Sequence, residues 1–158
     1  DNNALVQIYA GKKATWSNGA GIVALCMYEA DSTNDILQKQ IPGFSAALKT
    51  ALARNDWRTL YNDSAMLETL IKTPEAIGFI DAGALAEKAG LLKAVKINGI
   101  EMNFENLKSG QYRLKKELFF IYRGNLSDEA KLFIEFCFSD AGQRIMVAHG
   151  AIPAPRKN

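Results

Sequence analysis

The chain has 158 residues, of which 48% are hydrophobic and 23% are charged, which is enough apolar material for the core of one or two compact units. Its 19 basic and 17 acidic residues give a formal net charge of +2. Because these charges are scattered and form no basic stripe, they argue against a nucleic-acid partner. Every apolar run falls far short of the roughly 20 residues that span a bilayer, so we expect no transmembrane segment.

Hydrophobic periodicity and stop signals predict the first elements in chain order. A helical pattern over residues 4–10 ends at Gly11. Residues 22–27 are apolar without polar alternation, which is typical of a strand buried on both faces. Ser32 or Thr33 is expected to cap the next helix, which runs to about Gln40.

The rest of the chain continues the alternation of helices and strands. Further helices are predicted from Phe44, from a cap at Asp63 or Ser64, and over residues 82–89, 104–107 and 128–148, the last as one long or two short helices. Further strands are predicted over residues 76–80, 91–97 and 117–122, with a polar loop at Asn55-Asp56 and a turn at Asn98-Gly99. This order predicts an α/β fold with a mostly parallel sheet flanked by helices.

The segment from Tyr28 to Asp35 is the strongest candidate for a ligand site. It connects a buried strand to a helix, and a helix start leaves backbone N–H groups unpaired. Those N–H groups, beside the hydroxyls of Ser32 and Thr33, could hold a small anion. The alternative is an ordinary helix cap involving Asp31. Ser64 can likewise be either a ligand-binding residue or a helix cap.

Other candidate chemistry is weak. Gly19-Ala20-Gly21 precedes a strand, whereas nucleotide-binding glycine loops follow one. His149 is the only histidine and is expected at a helix C-terminus, so neither a histidine metal cluster nor a catalytic constellation is indicated. We therefore expect a protein that is not an enzyme and has no cofactor or metal. Cys26 and Cys137 are both expected to be small buried hydrophobes, and a bridge between them stays open.

The predicted helix over residues 128–148 is more apolar than one buried face requires. Packing between a sheet and a second layer explains it, and a partner interface is the alternative. Its apolar residues are Leu132, Phe133, Ile134, Phe136 and Phe138.

A series of collinear motifs resembles the phosphate-type substrate-binding proteins of ABC transporters, which have the type II periplasmic binding protein fold. The residues that carry the resemblance run through the whole chain: Leu5 to Lys12 with Thr15-Trp16, Ile22 to Thr33, Thr73 to Ile80, Lys96 to Ile100, Ser109 to Leu114, and Ser127 to Gly150 ending at Ile152-Pro153. Each motif alone is weak, but their order is fairly specific.

The resemblance implies a two-lobed protein that clamps its ligand between the lobes with helix N-termini. Residues 1–111 would be the second lobe. Residues 112–158 would be a return strand and C-terminal helices that belong to or lean on the first lobe, whose N-terminal part would be absent. The ligand would be phosphate or a related small oxyanion, bound by Tyr28, Asp31, Ser32, Thr33 and Ser64.

The resemblance also implies a periplasmic or extracytoplasmic location and an ABC permease or a membrane sensor as partner. A lobe with missing strands has an open sheet edge, so dimerisation or domain swapping is a further expectation.

Three departures weaken the phosphate chemistry. Tyr28 stands where the family has an arginine, the glycine of its Ser-Gly-Thr loop is missing, and Arg113 stands where the family has a proline. Losing a charge-assisted contact costs about 1.5–3 kcal/mol, or roughly 10- to 100-fold in affinity. Glu29, Asp31 and Asp35 would repel a dianion unless it were protonated and donated a hydrogen bond to Asp31. The alternative function is a diverged sensory or protein-interaction domain that no longer binds phosphate.

Overall fold

The computed structural model describes residues 1–54, 58–88 and 90–153. Its helices are α1 (Asn2–Tyr9), α2 (Ser32–Gln40), α3 (Phe44–Arg54), α4 (Asp63–Lys72), α5 (Ala82–Glu87), α6 (Phe104–Lys108), α7 (Asp128–Phe138) and α8 (Asp140–Ala148). Its strands are β1 (Val23–Met27), β2 (Arg58–Leu60) and β3 (Ala76–Ile77). The polar loop predicted at Asn55-Asp56 and the predicted helix end at Ala89 lie outside the described residues.

Two compact units make up the chain, Asp1–Lys115 and Lys116–Asn158. The first contains the sheet and α1 to α6, and the second contains α7 and α8. The predicted assignment of residues 1–111 and 112–158 to different lobes concerns a larger two-lobed protein and stays a prediction.

A three-stranded parallel sheet with the order β2-β1-β3 organises the first unit. Leu25 to Met27 pair with Arg58 to Leu60, and Val23 and Ala24 pair with Ala76 and Ile77. Parallel neighbours need crossover connections, and α2 to α4 supply them. The predicted α/β fold with a parallel sheet and flanking helices is confirmed.

Both faces of β1 are buried, which explains its lack of polar alternation. Ala24 and Cys26 belong to one apolar cluster, and Leu25 and Met27 to a second, because successive side chains of a strand point to opposite faces. The first cluster also contains residues of α1, of α2 with the residue that follows it, and of α3: Leu5, Ile8, Tyr9, Leu37, Ile41, Phe44, Ala47, Leu48 and Ala51.

Tyr9 links α1 to the sheet and to α3. Its hydroxyl donates to the carbonyl oxygen of Leu25 at 2.9 Å, and its ring centroid lies 5.1 Å from that of Phe44 and 5.7 Å from that of Phe79. A buried hydroxyl needs such a partner, because an unsatisfied one would cost about 1–3 kcal/mol. The hydrogen bond holds α1 against the central strand.

Three predicted strands differ from the structure. The strand expected over residues 76–80 pairs only at Ala76–Ile77. Residues 91–97 contribute no strand to the described sheet, although an isolated bridge between Ile97 and Ile100 closes the predicted Asn98-Gly99 turn. Residues 117–122 are also not a strand among the described elements. In each case the apolar pattern is present, but a strand also requires a neighbouring backbone to pair with.

In the second unit, the predicted segment 128–148 is two helices that meet at Ser139. This residue ends α7 and begins α8, with an extended backbone at φ −75° and ψ 160°. Its hydroxyl donates to the carbonyl oxygen of Phe136 at 2.7 Å and accepts from the amide of Gly142 at 3.2 Å. Both cysteines are free, Cys26 being buried and Cys137 half-buried.

Candidate functional site

The candidate residues lie at the carboxyl edge of the sheet. Each of the three parallel strands is followed by a loop and then by a helix: α2 after β1, α4 after β2 and α5 after β3. The N-terminal ends of these helices therefore lie at one edge of the sheet. In open α/β sheets this is the edge that forms ligand sites.

Asp31 caps α2, which corrects the predicted cap at Ser32 or Thr33. Its backbone is extended, at φ −73° and ψ 135°, and its Oδ1 accepts from the amide of Thr33 at 2.7 Å. Its carbonyl oxygen accepts from the amide of Asn34 at 3.0 Å. Ser32 is already helical, and a cap must be the extended residue that precedes the first helical one.

Asn34 anchors the loop between β1 and α2. The residue is only 2% exposed. Its Nδ2 lies 3.3, 2.8 and 3.4 Å from the carbonyl oxygens of Met27, Tyr28 and Glu29. One buried amide therefore holds three successive carbonyls at the end of the central strand. Asn34 is not among the predicted site residues, although a polar residue at the third helical position next to a buried strand was a usable signal.

The first turn of α2 leaves a small set of donors open. The amide of Ser32 and the hydroxyls of Ser32 and Thr33 have no hydrogen-bond partner within the described ranges. Ser32 is exposed and Thr33 is half-buried. These three groups can donate to an oxyanion, and the positive end of the helix dipole favours negative charge there.

The start of α4 repeats this arrangement beside the neighbouring strand. Asn62 is the cap, with Oδ1 accepting from the amide of Ala65 at 2.8 Å, so the predicted cap at Asp63 or Ser64 is wrong for the same reason as at α2. The hydroxyl of Ser64 is exposed and has no partner among the residues that the structure describes. It is a further donor at the carboxyl edge.

Tyr28 and Tyr61 form an aromatic pair at this edge. Each directly follows a strand residue of the register pair Met27 and Leu60, and the amide of Tyr28 donates to the carbonyl oxygen of Leu60 at 2.9 Å. The two rings stack at a centroid distance of 5.8 Å and an interplanar angle of 22°. Tyr61 is 73% exposed, so its outer surface faces solvent. Tyr61 could not be predicted, because the short strand β2 was itself not predicted.

Carboxylates surround the loop. Glu29, Asp31 and Asp35 have no ion-pair partner in the described part of the chain. Asp31 accepts a hydrogen bond from the amide of Thr33, whereas Glu29 and Asp35 are exposed. The edge therefore combines hydroxyl and amide donors with negative charge, which disfavours a fully deprotonated dianion.

The remaining candidates from the sequence are His149, possible metal ligands and possible membrane helices. His149 is exposed and ends α8, where its amide donates to the carbonyl oxygens of Ile145 and Met146. Within the described ranges, no group of three or more histidine, cysteine or acidic residues could hold a metal ion. None of the described helices is both long enough and apolar enough to cross a membrane.

Of the five predicted site residues, Tyr28, Asp31, Ser32 and Thr33 belong to one loop and helix start, and Ser64 lies at the next helix start on the same edge. Their part in binding stays a prediction. The structure adds Asn34, Tyr61 and Asn62 to the candidate set.

Solved structures share the fold of this chain. A putative phosphate ABC transporter substrate-binding protein from Clostridium perfringens, solved with bound phosphate, has a TM-score of 0.75 and 22% identity, and the match covers 98% of this chain and 62% of that one. The protein PstS from Borrelia burgdorferi has a TM-score of 0.65 and 20% identity, with 97% and 63% covered. At these identities the likeness establishes the fold.

Two curated proteins with similar sequences are named as phosphate-binding proteins. A "Phosphate-binding protein PstS 2" from Streptococcus agalactiae is 33% identical over 101 residues, which is 63% of this chain and 33% of that protein. A protein of the same name from Streptococcus pneumoniae is 27% identical over 106 residues, or 67% of this chain and 33% of that protein. The chain thus spans about a third of the length of these curated relatives.

The family described as "PBP superfamily domain" matches residues 1–141, which include the sheet, both helix starts and α7. The resemblance inferred from the motifs is confirmed: the chain belongs to the PBP superfamily domain family and has the fold of phosphate ABC transporter substrate-binding proteins.

Proposed function

We propose that the chain is a solute-binding module of the phosphate ABC-transporter type, and that it binds phosphate or a related small oxyanion at the start of α2. The observation that carries the proposal is the set of open donors on Ser32 and Thr33 at the carboxyl end of the central strand. Family membership and the names of the relatives support it. In this role the protein binds and releases a solute and performs no catalysis.

The ligand's protonation state follows from the charges of the loop. Glu29, Asp31 and Asp35 bring negative charge, and Tyr28 offers a hydroxyl where the family has a guanidinium. A ligand that carries a proton lowers the repulsion and can donate a hydrogen bond to the carboxylate of Asp31. We therefore expect a monoanionic, protonated oxyanion to bind better than a dianion. Ser64 contributes a hydroxyl from the second helix start.

The complete protein would act outside the cytoplasm and deliver its ligand to an ABC permease. Relatives of this kind are named as substrate-binding proteins of ABC transporters. A membrane sensor is the alternative partner.

The test is a phosphate titration of the complete protein that contains this chain, monitored by calorimetry and by thermal unfolding. Ligand that binds only the folded state stabilises it by about 2.7 kcal/mol at 100 times the dissociation constant. We expect Ser32→Ala combined with Thr33→Val to abolish this gain. Ser45→Ala, at an exposed serine of α3, is the matched control and should keep it.

A sensory or interaction domain without oxyanion binding is the second candidate function. Two features favour it. Glu29, Asp31 and Asp35 have no ion-pair partner among the described residues, and Tyr28 stands where the resemblance implies an arginine. No thermal shift with phosphate, arsenate or sulfate at millimolar concentration would decide for it and against oxyanion binding.

A further inference from the structure

Asn98 and Gly99 form the tip of an exposed two-residue turn in the first unit. The flanking residues Ile97 and Ile100 exchange two backbone hydrogen bonds, at 3.0 and 2.9 Å. Asn98 has a φ of 51° and Gly99 a φ of 81°, as in the type I′ turns that favour an Asn-Gly pair. Both residues are exposed, so water reaches the tip of the turn.

The turn places a free backbone amide next to a free side-chain amide. The N–H of Gly99 donates no hydrogen bond within the described ranges, and the Nδ2 of Asn98 makes none there either. Glycine has no Cβ beside its nitrogen, so no side chain shields that nitrogen from the Cγ of Asn98. Asparagine is among the chemically labile residues of proteins. This pair therefore has an unhindered nucleophile and an unhindered leaving group.

The start of α1 supplies a hydrogen-bond donor to the same side chain. The amide of Asn2 donates to the Oδ1 of Asn98 at 2.9 Å. Asn2 is the first helical residue after the cap Asp1, so its amide is one of the N–H groups that a helix start leaves without a helical partner. A donor on a carbonyl oxygen stabilises the negative charge that develops there during nucleophilic attack. The contact therefore makes Cγ of Asn98 a better electrophile.

A second Asn-Gly pair, Asn18-Gly19, is equally exposed but differently bonded. The amide of Gly19 donates to the carbonyl oxygen of Trp16 at 3.0 Å. The Oδ1 of Asn18 accepts from the amide of Ala20 at 3.0 Å, which ties this side chain to the residue beyond Gly19. Attack by the nitrogen of Gly19 requires both bonds to break, and each break slows the reaction by roughly 2- to 12-fold.

We propose that Asn98-Gly99 is a site of spontaneous deamidation assisted by the amide of Asn2, and that Asn18-Gly19 is protected. The nitrogen of Gly99 loses its proton and attacks Cγ of Asn98. The bond from Cγ to Nδ2 breaks, and ammonia leaves with that proton. The product is a five-membered succinimide ring.

Water then opens the ring at one of its two bonds to nitrogen. Cleavage of the bond to Cγ gives aspartate at position 98, and cleavage of the bond to the main-chain carbonyl carbon gives isoaspartate. Over both steps, water is consumed and ammonia is released. The reaction needs no enzyme, metal or oxidant.

The two products differ in their effect on the first unit. Aspartate keeps an oxygen acceptor for the amide of Asn2 and adds a negative charge at the start of α1, where the helix dipole favours it. Isoaspartate adds a carbon atom to the main chain, so the two-residue turn no longer joins Ile97 to Ile100. Ile97 packs against the first apolar cluster. Isoaspartate therefore destabilises this packing, whereas aspartate preserves it.

The experiment follows both Asn-Gly pairs in the complete protein that contains this chain. The protein is incubated in neutral buffer, digested and analysed by mass spectrometry, because deamidation raises the mass of a peptide by about one dalton. In the folded protein we expect the Asn98 peptide to convert at least about 10-fold faster than the Asn18 peptide. In guanidinium chloride, which removes the hydrogen bonds of both turns, the two peptides should convert at similar rates. No phosphate is present, so the outcome is independent of oxyanion binding.

Two substitutions of Asn2 test its amide. Asn2→Pro removes the N–H at the first helical position, where proline is well tolerated, and should slow conversion of Asn98 by roughly 2- to 12-fold. Asn2→Ala keeps the N–H and is the matched control, with an unchanged rate.

Thermal unfolding compares the two products. The purified isoaspartate form should melt at least about 2 °C below the Asn98→Asp variant. The variant itself should melt at the temperature of the unaltered protein.

Four results would overturn the proposal. Equal conversion of Asn18 and Asn98 in the folded protein would show that the bonds around Gly19 give no protection. Conversion of Asn98 in guanidinium chloride alone would show that the folded turn prevents attack. Equal rates for Asn2→Pro and Asn2→Ala would exclude the amide of Asn2 from the reaction. Equal melting temperatures for the isoaspartate form and Asn98→Asp would contradict the role of the turn in holding Ile97.

Discussion

The ring of Tyr28 stacks on the ring of Tyr61 at 5.8 Å, because the two residues directly follow Met27 and Leu60, which are partners in the parallel ladder. Strand pairing thus places two aromatic rings at the candidate oxyanion site. The pair offers hydroxyl groups and a flat apolar surface, but no positive charge. The first prediction concerns this missing positive charge.

Replacing Tyr28 by arginine should strengthen oxyanion binding. A guanidinium supplies the charge-assisted hydrogen bonds that the loop lacks, which are worth about 1.5–3 kcal/mol. We expect phosphate affinity to rise roughly 10- to 100-fold in calorimetric titrations, and the gain to shrink as salt is added. Tyr28→Phe keeps the aromatic pair without adding charge and is the control. Equal affinities for the arginine variant and the unaltered chain would place the ligand elsewhere.

Removing the amide of Asn34 should destabilise the first unit. Asn34→Ala leaves three carbonyls at the end of β1 without their buried donor, which we expect to cost about 1–3 kcal/mol of unfolding free energy in urea titrations. Asn34→Asp should cost more, because its carboxylate faces carbonyl oxygens. Asn3→Ala, at an exposed position of α1, should have almost no effect. A loss of less than about 0.5 kcal/mol for Asn34→Ala would show that the loop does not depend on it.

Glycine at position 75 should stabilise the protein. Glu75 has a positive φ of 61°, a conformation that costs an L-residue roughly 1–2 kcal/mol and that glycine adopts freely. Its carbonyl oxygen accepts from Trp16 Nε1 at 3.1 Å and from the amide of Val23 at 3.2 Å, and a glycine keeps both bonds.

We expect Glu75→Gly to raise the unfolding free energy by about 1 kcal/mol, measured by chemical denaturation. Glu75→Ala removes the same side chain but retains a Cβ, so it should change little. If the alanine variant gained as much as the glycine variant, the cause would be the lost carboxylate and not the backbone conformation.

Stability should fall in mildly alkaline solution because of Cys26. Burial raises the pKa of its thiol from 9.0 to about 12. Above pH 9 the unfolded chain loses this proton while the folded chain keeps it. The contribution of this thiol to the free energy of unfolding is therefore fully present below pH 9. It decreases by about 1.4 kcal/mol per pH unit toward pH 12. Burial also raises the pKa of Tyr9 above its usual value of 10.0, which adds to the loss once the pH exceeds that value.

Urea titrations between pH 8 and pH 10 measure this slope. We expect Cys26→Ala to flatten it, while Cys137→Ala retains it. A thiol reagent at pH 8 should modify Cys137 much faster than Cys26 in the folded chain, because the buried thiol supplies little thiolate. Equal rates for the two cysteines would contradict the burial of Cys26.

Much of the candidate site's position in the fold could be predicted from the sequence, whereas the groups that cap and anchor it could not. The apolar run before Tyr28 and the polar residues after it identify a strand-to-helix turn, and these signals are local. The identity of the cap depends on which residue is the last extended one, and sequence patterns place such boundaries only within a few residues. The cap is therefore Asp31 and not Ser32 or Thr33.

Taken by itself, the amino-acid sequence determined the α/β class, the position of most helices, the buried central strand and the family. All of these follow from periodicity, stop signals and motif order along the chain. The tertiary structure alone decided that Arg58–Leu60 is a strand, that Tyr61 stacks on Tyr28, and that residues 117–122 have no strand partner among the residues that the structure describes. The physical reason is that strand pairing and aromatic stacking require a partner distant in sequence, so an apolar pattern can favour a strand without supplying its neighbour.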